Sequence, residues 1–257
     1  MYSIRLQVNN ILEVVGDYTV FLKGFSNNLF SKGFEWNELI RQCYFIGYKS
    51  LNIVLITGFV LGFVLTLQSQ PTLKAFGAAG YVPNMVAISI IRELGPVIIS
   101  LICAGKIASG IGAELGSMKV TEQIAAMDVS AANPVQYLVV TRILACICMV
   151  PILVILADVL AFFGGYFGTN ISGNMSAILY YNKSFESLAF TDFFPALIKT
   201  FFFGFIIGFI GCYKGFNANK GTESVGIAAN SAVVTASFWI IIFDALAVQI
   251  TSLFIYN

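Results

Sequence analysis

Five long apolar stretches dominate this sequence, and each is long enough to cross a lipid bilayer. They lie at about 49–68, 84–108, 137–165, 193–212 and 231–254, and a spanning helix needs about 20 apolar residues. Hydrophobic residues make up 58% of the chain and charged residues only 11%, whereas soluble domains carry about 25% charged residues. A soluble globule cannot bury so much apolar surface. The sequence therefore predicts an all-α polytopic membrane protein.

The chain before the first apolar stretch is predicted to form a separate helical region. Apolar and polar residues alternate at helical spacing over residues 4 to about 30, which is typical of an amphipathic helix in the membrane interface. A helix packed on the protein itself fits the same pattern. We therefore divide the chain into an N-terminal interfacial region, 1–48, and a transmembrane domain, 49–257. The apolar positions are Ile4, Val8, Ile11, Leu12, Val15, Tyr18, Leu22, Phe25 and Leu29.

The distribution of lysine and arginine predicts the orientation, because cytoplasmic segments are enriched in both. With the N-terminus in the cytoplasm, the outer loops hold only Lys74 and Lys183. Five spans then place the C-terminus on the outer side of the membrane. The cytoplasmic set is Arg5, Lys23, Lys32, Arg41, Lys49, Lys106, Lys119, Arg142, Lys214 and Lys220.

Small residues and prolines predict where the helices approach each other or bend. Pairs of small residues at four-residue spacing permit close contact between spanning helices. Pro151 and the pair Gly164–Gly165 are expected to kink or split the third span. The small-residue pairs are Gly58/Gly62, Gly105/Ser109, Gly112/Gly116 and Gly204/Gly208.

Charged residues inside the apolar stretches are the strongest candidates for function. Arg92 and Lys199 lie within predicted spans, accompanied by Glu93, Asp158 and Asp244. A charge at the bilayer centre costs at least about 2.5–3.5 kcal/mol, so such residues face a partner, a cavity or water. Two interpretations stay open: ion pairs that only hold helices together, or the polar lining of a cavity that receives a charged headgroup.

The motif around Arg92 predicts a local break in the second span. Pro96 removes the hydrogen bond that would run back to the Arg92 carbonyl and favours a kink. Arg92 and Glu93 point about 100° apart on a helix, so each is expected to meet a different neighbour. Broken helices at membrane depth are tolerated where they line a cavity.

The segment that follows the second span, 110–127, is predicted to be cytoplasmic and ordered. Val120, Ile124 and Met127 follow helical spacing, and Thr121 is a candidate cap for a short helix. A short amphipathic helix suits docking to a soluble partner, although a plain surface turn is the alternative.

Several function classes are disfavoured by what the sequence lacks. There is no histidine, which removes the commonest general base and metal ligand. The five cysteines show no CxxC spacing and are expected to be small buried hydrophobes, so we predict no metal site and no cofactor. A net charge of +1 gives no reason to expect nucleic acid. No GxxxxGK[ST] loop is present, so the chain is not expected to be an enzyme or to hydrolyse ATP itself.

Two long segments resemble the MlaE/YrbE family of permeases. The run RELGPVIISLICAGKIASGIGAELGSMKVTEQIAAMDVSAANPVQYLVVTRILA, residues 92–145, is similar to the family's signature region. GCYKGFNANKGTESVGIAANSAVVTAS, residues 211–237, resembles its second block. With the length and the span count, the likeness covers nearly the whole chain from about residue 40. The resemblance implies the MlaE-type permease fold and a subunit of an ABC-type phospholipid transporter.

The same resemblance implies partners and roles for particular residues. In the family, two permeases form a homodimer that joins a cytoplasmic MlaF-like ATPase to a periplasmic MlaD-like MCE-domain protein, and this system maintains outer-membrane lipid asymmetry. The segment at about 116–127 would couple to the ATPase through Lys119, Glu122, Gln123 and Met127. The charged residues of a phospholipid cavity would be Arg92, Glu93, Lys199 and Asp244. Its apolar lining would include Leu65, Leu73 and Phe76.

Two rival functions were weighed on the residues alone. An intramembrane enzyme would need a nucleophile–base pair or a metal cluster, and the sequence has neither HExxH nor Gly-x-Ser-x-Gly. A self-sufficient secondary carrier or channel would use the intramembrane charges as a relay, and such folds often show internal repeats, none of which is evident here. The carrier is the alternative to the permease.

Overall fold

The computed structural model describes residues 2–29, 34–172, 175–219 and 221–255, and within these ranges the regular structure is helical, with no strand. Five helices are long and apolar enough to cross a membrane, which confirms the predicted all-α polytopic fold. We number the helices in chain order. They are α1 (Tyr2–Leu29), α2 (Trp36–Ala75), α3 (Ala79–Val120), α4 (Gln123–Val129), α5 (135–172), α6 (Ala177–Glu186), α7 (Phe190–Phe216) and α8 (Thr222–Ile255); the five spans are α2, α3, α5, α7 and α8.

The spans reach beyond the predicted apolar stretches, most clearly in α2. This helix has 40 residues, so it is about 60 Å long, twice the hydrocarbon thickness of about 30 Å. It begins at Trp36, and the division placed after residue 48 therefore falls inside a continuous helix. Hydropathy marks only the part of a helix that lies in lipid, and the polar turns at its ends continue the same backbone hydrogen bonding.

Glycine allows the tightest contact in the bundle, between α2 and α5. A Cβ atom added at Gly58 or Gly62 would overlap the backbone carbonyl of Ala157 or Ala161 on α5. The predicted close approach at this pair is confirmed. Gly204 likewise lies against α5, where a Cβ would come within 2.6 Å of the Cys146 carbonyl oxygen.

The other small residues behave less uniformly. Gly112 packs against α8, where its Cβ would lie 3.2 Å from the Ala228 carbonyl oxygen. A Cβ at Gly105, by contrast, would meet none of the described residues within 4 Å. The prediction for Gly105 was therefore wrong. Gly164 and Gly165 do not split α5, which is continuous from Thr141 to Ser172. They instead allow close contact with the Phe59 carbonyl and the Tyr180 hydroxyl.

Three π-helical segments interrupt the spans. Two lie in α3, at Ile90–Leu94 and Ala104–Ala108, and the third, Val135–Val140, begins α5. The first ends directly before Gly95–Pro96, so the predicted break at Pro96 is realised as a wider turn rather than as a gap in the helix. Such segments carry one extra residue in a turn and often occur at functional sites.

The second half of α1 packs on the protein. Phe25 is only 7% exposed, and Tyr18 stacks on Tyr213 of α7 with ring centroids 4.2 Å apart. Burial, with a smaller effect of Tyr213, raises the pKa of the Tyr18 phenol. Val15 and Leu22 are exposed, which leaves an apolar edge for lipid. The side chains of Ile4, Val8, Ile11 and Leu12 lie outside the described residues.

The cysteines follow the prediction in part. Cys103, Cys146 and Cys212 are buried and pack in the main hydrophobic core. Cys43 is half-buried, whereas Cys148 is exposed. The prediction of burial was therefore wrong for Cys148.

The α2–α5 contact can be tested by adding one methyl group. Gly62→Ala is expected to lower the free energy of unfolding by about 1–3 kcal/mol, because the Cβ meets a backbone carbonyl that cannot move aside. Gly105→Ala is the matched control and should be neutral or stabilising, since it adds helix propensity in open space. Thermal unfolding in detergent measures both, and equal melting temperatures would contradict this account of the contact.

Candidate functional site

The intramembrane charges meet around one lysine. Lys199, on α7, donates to the Glu93 carboxylate on α3 over 2.8 Å and to the Asp244 carboxylate on α8 over 3.0 Å. Its side chain is 5% exposed, against 41% for Glu93 and 18% for Asp244. The predicted charges thus come together, and they join three of the five spanning helices.

A backbone group completes the surroundings of Lys199. Its ammonium also donates to the Arg92 carbonyl over 3.1 Å. Pro96, four residues further on, has no N–H to offer that carbonyl. An ammonium has three donors, and Lys199 therefore has one acceptor for each of them. In place of the N–H that Pro96 lacks, the Lys199 ammonium donates to the Arg92 carbonyl.

Arg92 points to a different partner from Glu93, as predicted. Its Nε donates to Oδ1 of Asp192 over 2.8 Å, and Asp192 is 2% exposed. The second carboxylate oxygen of Asp192 accepts from the Ala189 backbone N–H over 2.9 Å. Asp192 therefore anchors the first turn of α7, where a helix favours negative charge, and holds Arg92 at the same time.

Two adjoining cavities surround this cluster. The larger has a volume of about 730 Å³, lies between α7 and α8, and is almost wholly apolar, with Lys199 at its inner edge. The smaller, of about 270 Å³, is lined by Arg92, Glu93, Asp192 and Lys199. Lys199, Pro195 and Thr251 border both. A long apolar space and a charged space thus meet at one buried cation.

The predicted apolar lining lies apart from these cavities. Leu65 and Leu73, on α2, pack against the buried cluster of Val82, Val86, Ile90 and Ala161. Phe76 directly follows the last residue of α2 and is 81% exposed. Within one described chain these three residues do not border either cavity.

The predicted coupling segment forms a helical hairpin at one end of the bundle, which we call the α4 end. Lys119 lies in the last turn of α3, and Gln123 begins α4. Between them Glu122 has a φ angle of 60°, a left-handed conformation that is uncommon for a residue with a side chain. Lys119, Glu122 and Gln123 are exposed, and Met127 is half-buried.

The expected cap and helical face of this segment need correction. Thr121 does not cap α4; its hydroxyl donates back to the Ser117 carbonyl over 2.8 Å. Val120 belongs to α3 and so shares no helix with Ile124, which is buried against the core. The predicted helical spacing of Val120, Ile124 and Met127 is interrupted by a turn at Glu122, whose φ angle is positive.

Sequence reasoning missed two features and grouped a third wrongly. Arg142, counted among the flanking positive charges, is 1% exposed and pairs with Glu114 over 2.8 Å. Asp192 was placed outside its span because hydropathy begins to rise one residue later. Asp158 was grouped with the cluster but makes none of its ion pairs, and its Oδ1 has no hydrogen-bond partner among the described residues. Contacts between distant helices leave no spacing signal in one sequence.

The described chain is thus a polytopic membrane protein in which a buried charged cluster adjoins an apolar cavity. The family model described as Permease MlaE matches residues 39–250, and the chain belongs to the MlaE permease family. It is therefore a permease subunit of an ABC transporter and is not itself catalytic, and this class implies an ATPase partner.

Curated relatives agree with this assignment. The chain is 40% identical over 212 residues to a probable ABC transporter permease protein of Rickettsia typhi, covering 82% of each chain. It is 37% identical over 248 residues to a probable ABC transporter permease protein of Rickettsia felis, covering 96% of each. A probable ABC transporter permease protein of Synechocystis is 36% identical over 200 residues, which is 77% of this chain and 75% of the relative.

The Lys199 cluster predicts a strong asymmetry between single and combined substitutions. Lys199→Met should lower the free energy of unfolding by about 2 kcal/mol or more, because two carboxylates lose their cation; the exposure of Glu93 keeps the loss below that of a fully buried pair. Adding Glu93→Gln and Asp244→Asn should recover part of this loss. Thermal unfolding is measured for the wild type, Lys199→Met, the double variant Glu93→Gln/Asp244→Asn and the triple variant. Losses that simply add in the triple variant would oppose the assignment.

Proposed function

We propose that this permease moves phospholipid between the bacterial inner membrane and a periplasmic MCE-domain partner, driven by a separate ATPase subunit. One observation carries the proposal: an apolar cavity of about 730 Å³ adjoins a charged cavity at Lys199. A phospholipid has the same division between acyl chain and headgroup. Each CH₂ group buried in the apolar part contributes about 0.8 kcal/mol.

The hydrogen bonding of the cluster suggests separate roles for its two cations. Lys199 has an acceptor for each of its donors, so it shapes the wall between the cavities. Arg92 is 35% exposed and lines the charged cavity. A planar guanidinium suits a phosphate group, and we assign headgroup attraction to Arg92. Glu93 and Asp244 hold Lys199 in place.

The assembly and orientation that we propose follow from the family resemblance and the charge pattern. Two copies would face each other, and Leu65, Leu73 and Phe76 would join the cavity across or beside their interface. The α4 end would lie in the cytoplasm with the N-terminus, and the C-terminus in the periplasm. Of the positive charges used for this orientation, Lys32, Lys220 and the side chain of Arg5 lie outside the described residues. We keep the division into an N-terminal interfacial region, 1–48, and a transmembrane domain, 49–257, as a division of function, although α2 runs through both.

The coupling role of the hairpin at the α4 end is supported by its conformation. Glu122 is exposed and has a positive φ angle, and such sparsely populated conformations cluster at functional sites. A side chain held on a tight turn at the end of a spanning helix is well placed to press on a soluble subunit. We propose that Lys119, Glu122, Gln123 and Met127 form this contact.

Filling the apolar cavity tests the cargo. Ala247 lines the space between α7 and α8, and Ala247→Trp should reduce co-purified phospholipid to about one tenth of the wild-type amount, as expected for a loss of about 1.4 kcal/mol in binding. Ala245→Trp, on an exposed position of the same helix, should leave the amount unchanged. Lipid mass spectrometry of protein purified in mild detergent gives the readout. Equal lipid in the two variants would refute the cavity as the binding site.

The coupling proposal is tested by co-purification of the ATPase subunit. Glu122→Lys combined with Gln123→Ala should reduce recovery of the ATPase about tenfold or more, because the hairpin contributes directly to that interface. Glu223→Lys reverses an exposed charge in the first turn of α8 and serves as the control. Undiminished ATPase in the double variant would exclude the hairpin as the main contact, and lipid transport without any ATPase would favour the self-sufficient carrier.

A further inference from the structure

A third cavity lies at the α4 end, away from the charged cluster and outside the proposed transport path. It has a volume of about 470 Å³ and lies between α2 and α3. Its apolar wall includes Phe45, Ile46 and Ile107, and its polar rim includes the cations Arg41, Lys49 and Lys106. The rim also contains Glu114.

Pairing of these charges leaves a positive excess. Arg41 pairs with Glu38 over 3.0 Å, and Glu114 is neutralised by Arg142. Neither lysine of the rim forms a salt bridge with a carboxylate in the part of the chain that the structure describes. Lys49 and Lys106 thus leave the cavity with two cations that no carboxylate among the described residues balances.

The two lysines are arranged together by the fold. The Lys106 ammonium donates to the Lys49 backbone carbonyl, and the Lys49 ammonium lies over the Phe45 ring, 4.0 Å from its centroid. Lys106 belongs to the π segment Ala104–Ala108. Its contact with the Lys49 carbonyl places its side chain on the face of α3 towards α2.

The depth of the lysines matches the headgroup layer. Lys49 stands where the apolar part of α2 begins, and Lys106 stands near the end of the apolar part of α3. Basic pockets between spanning helices at a membrane surface recognise anionic headgroups. Phe45 and Ile107 lie beside the two lysines and add apolar surface to the wall of the cavity.

We propose that this cavity binds the phosphate of an anionic lipid, with Lys49 and Lys106 as its cationic ligands. The bound lipid joins α2 to α3 at the α4 end and is a resident lipid rather than the transported one. This inference requires only that the chain is embedded in a membrane, and it stands whether or not phospholipid is the cargo.

The test uses the full chain, purified in detergent and freed of lipid. Phosphatidylglycerol at a tenfold excess over its dissociation constant should raise the melting temperature by about 3 °C, and native mass spectrometry should show the bound lipid. Zwitterionic phosphatidylcholine should give no rise. Inorganic phosphate is the third probe: an equal, lysine-dependent rise would assign the same phosphate site to a soluble anion and overturn the lipid as its occupant.

Matched variants separate the site from general charge effects. Lys49→Gln with Lys106→Gln should abolish the rise, whereas Lys49→Arg with Lys106→Arg should keep most of it. Lys23→Gln, an exposed lysine of α1, should keep all of it. Ala247→Trp should also keep it, which distinguishes this site from the proposed cargo cavity.

Two results with these variants would also overturn the proposal. One is an unchanged rise in the double glutamine variant, and the other is a loss of equal size in Lys23→Gln. If the double variant does not fold, the single variants Lys49→Gln and Lys106→Gln replace it. Each should then lose about half of the rise or more, and an unchanged rise in both contradicts the site.

Discussion

A single buried ammonium ties three of the spanning helices of this permease together at membrane depth. Lipid offers no hydrogen bonds, so a charge there must find all its partners within the protein. Lys199 meets this requirement with the carboxylates of Glu93 and Asp244 and the carbonyl of Arg92. Because these acceptors belong to α3 and α8, the position of α7 is fixed relative to both. The two cavities of the candidate site both border this junction at Lys199.

The opposite principle governs α2 and α5, where contact depends on the absence of side chains. Gly58 and Gly62 bring the backbone of α2 onto the carbonyls of Ala157 and Ala161. Between apolar helices in lipid, such van der Waals contact replaces the hydrophobic drive that is available in water. The bundle thus combines a pair of helices held by close packing with a group of three held by charge. The apolar cavity lies in the second group, between α7 and α8.

The sequence predicted the fold well because lipid imposes a strong hydropathy signal on every span. It also grouped Arg92, Glu93, Lys199 and Asp244, together with Asp158, since charges in apolar stretches are few. Asp192 and the Glu114–Arg142 pair were missed because their partners lie on other helices, many residues away. Glu122 shows a different limit: its left-handed conformation moved the start of α4, and no residue pattern indicates that φ angle for a glutamate. The prediction for Gly105 was wrong because a four-residue spacing does not show which face of a helix meets a neighbouring helix.

The continuity of α3 gives the separate sites a common mechanical element. The helix runs without a loop from Ala79 to Val120, bearing Arg92 and Glu93 near one end and Lys119 beside the proposed coupling turn at the other. A helix moves as a rod unless its hydrogen bonding is interrupted, and the interruptions here are the two π segments. Both hold charged side chains that face other spans. A displacement applied at Glu122 would therefore reach the charged cluster through α3 itself, and the π segments are where that helix can most easily change its twist.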